Sequence, residues 1–108
     1  MTAWLYLFVA IVFEVAGTTA MKLSVGFTKT LPSILIFVCY AIAFIFLTLT
    51  LKKLPVSTAY AIWAGLGTLL ISIIGAYCFH EGMSLLKMGS ILLIILGVIG
   101  LNLMGTHA

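Results

Sequence analysis

Four apolar runs, near residues 3–21, 33–51, 57–79 and 86–104, take up most of this chain. A hydrocarbon core of about 30 Å takes roughly 20 helical residues to cross, so each run is long enough to span it. The 108 residues are 65% hydrophobic and 6% charged, against about 25% charged in a soluble domain. The expected fold is an all-α membrane protein, one integral membrane domain over residues 1–108 with four transmembrane helices.

The gaps between runs carry the punctuation. All five basic residues are lysines (Lys22, Lys29, Lys52, Lys53 and Lys87), each in or at the edge of a gap, where they read as headgroup anchors. The net charge of +3 does not point to nucleic acid, because no basic stripe or base-stacking platform accompanies it. Pro32 and Pro55 suit the starts of the second and third helices, where a missing N–H costs nothing. Gly82 suits a stop after the third. The first run lacks a basic leader and ends in lysine, so it is read as a helix of the protein and not as a signal peptide. Cys39 and Cys78 have no C-x-x-C spacing and are expected to be small buried hydrophobes. His80, Glu81 and His107 read as solvated ends.

Glu14 is the one acid inside an apolar run. A carboxylate at membrane depth costs roughly 2.5–3.5 kcal/mol on insertion scales, so it marks a binding or proton-handling site. Its neighbours on one helix face include Ala10, Gly17 and Thr18 at i−4, i+3 and i+4. These are small, and leave room beside the carboxylate either for a ligand or for another helix. Tyr60, Trp63 and Gly67 share a face of the third run, and Tyr40 lies within the second. Aromatic faces beside a carboxylate make a cation site, each ring contributing about 0.5–2 kcal/mol. Gly65 and Gly67 either let the third helix bend or let another helix pack closely.

Orientation is poorly specified. Loop 2 carries Lys52 and Lys53, while loops 1 and 3 carry Lys22, Lys29 and Lys87. The lysine/arginine imbalance is what sets topology, and here there is almost none. Four helices also give thin cover to a midplane charge, and larger transporters build such chambers from inverted repeats within one chain. An antiparallel homodimer of copies inserted both ways up would supply the inverted pair and bring two copies of Glu14 to one chamber. On the fourth run Ser90 and Gly97 fall on nearly one face. They form either a dimer seam or simply the glycine and serine common in membrane helices.

Glu14-Val15-Ala16-Gly17-Thr18-Thr19-Ala20-Met21-Lys22, Gly26-Phe27-Thr28, Pro32-Ser33 and Ala59-Tyr60-Ala61-Ile62-Trp63-Ala64-Gly65-Leu66-Gly67 together resemble the small multidrug resistance family over essentially the whole chain. The resemblance implies a multi-pass protein of the bacterial inner membrane: a proton-coupled exporter that works as an antiparallel dimer, driven by the proton gradient without a cofactor, and not an enzyme. It implies Glu14 as the shared proton and substrate carboxylate, and Tyr40, Tyr60 and Trp63 as the aromatic chamber. Trp4 stands where a tyrosine is common in that chamber. Gly65 and Gly67 correspond to the flexible part of the third helix, and Gly97 falls on the helix 4 dimer contact, with Ser90 replacing a frequent glycine.

Within the family, Ala16 with Gly17-Thr18-Thr19 resembles the branch that exports lipophilic quaternary cations; the guanidinium branch typically carries a tryptophan near position 16. Ala43 replaces a small hydroxyl often found in helix 2. The expected partners are small organic cations, protons, membrane lipid and a second copy of the chain. The alternatives are a guanidinium-type metabolite exporter and a non-transporting subunit of a membrane hetero-oligomer.

Overall fold

The computed structural model describes residues 2–105, apart from the side chains of Asn102 and Met104. His107, read above as a solvated end, lies outside the described residues. Among these residues there are four α-helices: α1 (Thr2–Leu23), α2 (Thr30–Thr50), α3 (Val56–Cys78) and α4 (Leu85–Gly105). The first three are long and apolar enough to cross a membrane, and α4 carries an apolar stretch over Leu85–Leu101. Several hydroxyls within the helices are satisfied by their own backbone: Thr19, Thr48, Thr68 and Ser90 each donate to the carbonyl four residues back, at 2.7–2.9 Å. They therefore need no partner from lipid, which has none to give. Large apolar side chains such as Leu5, Phe8, Leu31, Phe37, Leu93 and Leu103 are exposed. So much apolar surface would be a liability in water but suits a hydrocarbon solvent.

The chain forms two helical hairpins, within residues 2–53 and 54–105. In the first, α1 and α2 run antiparallel. Thr50, fully buried, donates to Phe46 O at 2.8 Å and lies 3.5 Å from Ala3 O, and the Tyr6 and Phe46 rings meet at 5.5 Å. At the other end Gly17 faces Tyr40 and Cys39. The connecting loop is held by Ser24, which is 1% exposed. Its hydroxyl donates to Met21 O (2.8 Å) and accepts from Phe27 N (3.1 Å), while its carbonyl accepts from Thr28 N and Lys29 N. Between these anchors Val25, Gly26 and Phe27 all take positive φ (48°, 67° and 67°). Only glycine adopts that conformation freely, and a β-branched valine there is strained.

Helix α2 starts at Thr30, three residues before the expected 33, because Lys29 is extended and its carbonyl accepts both the N–H and the hydroxyl of Ser33. Pro32 still falls in the first turn, where its missing N–H has no helical partner to lose.

In the second hairpin, Gly65 of α3 lies under Val98 and Ile94 of α4. Helix α3 is continuous through Gly65-Leu66-Gly67, and Gly65 serves the close-packing role. The stop after α3 differs from the expectation: His80, not Gly82, takes the left-handed conformation (φ 56°). That reversal sends the Glu81 N–H back to Gly75 O at 2.9 Å, beside the Phe79 N–H on the same carbonyl at 3.2 Å. Ser84 then opens α4, its hydroxyl accepting from Lys87 N at 3.1 Å as an N-cap. Cys39 is half-buried, but Cys78, expected to be buried, is exposed, since it is the last residue of α3.

Candidate functional site

Glu14 is half-buried on α1. One turn later on the same face, Thr18 donates its hydroxyl hydrogen to Glu14 Oε1 at 3.3 Å. The Thr18 oxygen also lies 2.5 Å from the Tyr40 hydroxyl on α2. A threonine hydroxyl has one hydrogen. With that hydrogen on Glu14, Thr18 must accept from Tyr40, so the donors run Tyr40 to Thr18 to Glu14. The Tyr40 oxygen has a second neighbour, Met21 Sδ at 4.0 Å, a weak acceptor.

The Tyr40 ring reaches this position because residue 17 is glycine. A Cβ there would lie 2.9 Å from Tyr40 Cε2 and 3.0 Å from Cδ2. The room that Gly17 leaves is thus taken by an aromatic edge of the same hairpin. Tyr40 continues into an open apolar groove of about 480 Å³ with Met21, Phe27, Ile36, Phe37 and Ala41.

The other expected residues fall as follows. Ala10, one turn before Glu14, is fully buried. Trp4, ten residues before Glu14, is about 15 Å away along the helix axis and partly exposed. Ala43 is fully buried on α2, one turn beyond Tyr40. In the second hairpin Tyr60 and Trp63 form their own aromatic pair, with ring centroids 6.0 Å apart and planes inclined by 41°. Ser90 and Gly97 are exposed on α4, and a Cβ at Gly97 would meet nothing among the described residues.

Helical spacing alone puts Thr18 beside Glu14, but the link to Tyr40 depends on the register between two helices. Glu81, expected from sequence to be a solvated end, has a specific seat. Glu81 is exposed, yet its carboxylate lies directly against Gly75, where a side chain would displace it.

Residues 2–94 match the family described as Small Multidrug Resistance protein. An uncharacterized membrane protein of Bacillus subtilis is 54% identical over 93% of this chain and 84% of its own length. The quaternary ammonium compound-resistance protein QacG of a Staphylococcus species is 45% identical over 94% of this chain and 95% of its own. QacE of Escherichia coli, of the same description, is 46% identical over 96% and 94%.

Proposed function

The chain belongs to the small multidrug resistance family of membrane transporters, and from that premise we propose that it exports lipophilic quaternary ammonium and related cations across the bacterial inner membrane in exchange for protons. The observation that carries this reading is the Glu14–Thr18–Tyr40 cluster inside a hairpin whose two helices can each cross a membrane. Names of relatives that refer to quaternary ammonium resistance support the choice of cargo.

The exchange works by competition for a carboxyl group. A charged Glu14 attracts an organic cation, and a protonated one does not. The hydroxyl chain suits both forms. For the carboxylate, Tyr40 donates to Thr18 and Thr18 to Glu14; for the protonated acid the same chain reverses, with Met21 Sδ accepting the last hydrogen. Neither state leaves a donor stranded in an apolar setting, where an unpaired polar group costs about 1–3 kcal/mol. Tyr60 and Trp63, paired within the second hairpin, offer aromatic faces of the kind that attract organic cations.

All four helices span the membrane in this reading, and two copies inserted in opposite orientations form the working unit. The near-even lysine distribution supports that, as does the uncovered Ser90–Gly97 face of α4. The two Glu14 carboxyls then face one chamber, no cofactor is needed, and the inward proton gradient drives cations out.

The test is uptake into proteoliposomes holding only this protein, with tetraphenylphosphonium and guanidinium as alternative cargoes under an imposed pH gradient. Gradient-driven tetraphenylphosphonium movement is expected. Guanidinium movement alone would shift the assignment to the metabolite-exporting branch. Movement of neither would favour a subunit that needs a different partner.

A further inference from the structure

The second hairpin holds a feature that the exchange at Glu14 does not use. Between α3 and α4, at the end where residues 79–84 join them, is an open groove of about 600 Å³. Its walls are mostly apolar, with Leu69, Met88 and Ile95 among the lining residues; Tyr77 adds a ring that bears a hydroxyl, and Ser72 and Glu81 are the two wholly polar side chains that reach it. That volume falls in the usual range for a small-molecule site.

Both polar groups are uncommitted. Glu81 has no hydrogen-bond or ion-pair partner for its carboxylate among the described residues. Lys87 Nζ, the lysine of the same end of the hairpin, donates to Gly82 O at 3.3 Å and makes no ion pair with Glu81. Ser72 is only 7% exposed, and its hydroxyl has no partner among the described residues, whereas Thr68 one turn earlier bonds its own helix. The carboxylate is also seated and not loose. The left-handed turn at His80 and the Glu81 N–H bond to Gly75 O fix its backbone, and the missing side chain at Gly75 admits its oxygen.

The groove therefore has a fixed negative charge in the connecting loop, an aromatic ring at Tyr77, and an apolar trough leading along two helices. Charge complementarity selects a positive head, and the trough selects an apolar body attached to it. We propose that this groove is a second, peripheral binding site for amphipathic organic ammonium ions, with the head at Glu81 and the body between α3 and α4. The choice of occupant rests on the export reading above; the geometry of the groove does not. Ser90 and Gly97 are not among the lining residues, so a partner on that face of α4 leaves the trough open.

The experiment uses the purified full-length chain in dodecyl maltoside micelles, which carry no ammonium group, and benzyldimethyloctylammonium as the probe. Glu14→Gln removes the charge of the first site, and the methyl resonances of Ile91 and Ile95 report on the groove. Saturable shifts of both are expected in Glu14→Gln. Adding Glu81→Gln should weaken the apparent affinity at least tenfold. Adding Gly75→Ala instead, which unseats the carboxylate but keeps its charge, should weaken it severalfold and guards against a fold defect in the first double variant. Octylbenzene, the uncharged probe, should shift the same methyls far more weakly.

The proposal is overturned if the shifts vanish with Glu14→Gln, if Glu81→Gln leaves the affinity unchanged, or if octylbenzene matches the cation. Displacement of the probe by micellar phosphatidylethanolamine would make a lipid headgroup the occupant and also overturn it. Failure of the export reading looks different: wild-type protein would not transport, while the groove shifts in Glu14→Gln would persist.

Discussion

Replacing Gly17 by alanine tests whether Tyr40 is positioned as described. The new Cβ would sit 2.9 Å and 3.0 Å from two ring carbons of Tyr40, and 3.3 Å from Cys39 Cβ. Carbon atoms rest at about 3.5–4.0 Å, so the ring must retreat by roughly 0.5–1 Å. Cys39 Cβ is fixed to the backbone and gives little. Such overpacking typically costs about 1–3 kcal/mol. The retreat also pulls the Tyr40 hydroxyl from Thr18, a bond with a net value of about 0.5–1.5 kcal/mol. Because both effects pass through one ring, they should disappear together when the ring is removed. Unfolding in a dodecyl sulfate titration, followed by circular dichroism, gives the stability of Gly17→Ala in the native and the Tyr40→Leu backgrounds. The expected coupling energy is at least about 1 kcal/mol. Tetraphenylphosphonium binding should fall in Gly17→Ala alone by a factor similar to that in Tyr40→Phe. Equal stability costs in both backgrounds would refute the reasoning.

Three further outcomes follow from the same geometry. Ser24→Ala removes both hydroxyl bonds that hold the left-handed turn, so the Phe27 amide should exchange with solvent about tenfold faster or more, as a loss of 1–2 kcal/mol implies; unchanged exchange would mean the turn is held otherwise. Gly65→Ala should destabilise the protein by about 1–3 kcal/mol, and Val98→Ala should restore most of that in the same unfolding assay. Single cysteines placed in loop 1 should label with an impermeant maleimide from both sides of one membrane, and strictly one-sided labelling would contradict insertion in two orientations.

The helices were legible in the sequence because their length and apolar content are set by the bilayer, and their ends fell within three residues of those expected. Two of the ends were decided by local hydrogen bonds: Ser33 returning to Lys29 O, and Glu81 returning to Gly75 O. Sequence favours Gly82 as the stop, since it cannot show that a histidine will take the left-handed position. Glu14 and Thr18 were legible as a pair from helical spacing alone. The Tyr40 link was not, because a one-residue change in the pairing of α1 with α2 would aim that ring elsewhere. The same holds for Glu81, whose seat depends on Gly75 six residues earlier across a turn.

The most direct measurement is the proton balance of cation binding at Glu14. Tetraphenylphosphonium added to weakly buffered protein near neutral pH should release protons, and Glu14→Gln should abolish both that release and gradient-driven uptake in proteoliposomes. Release or gradient-driven uptake that survives Glu14→Gln would contradict the account.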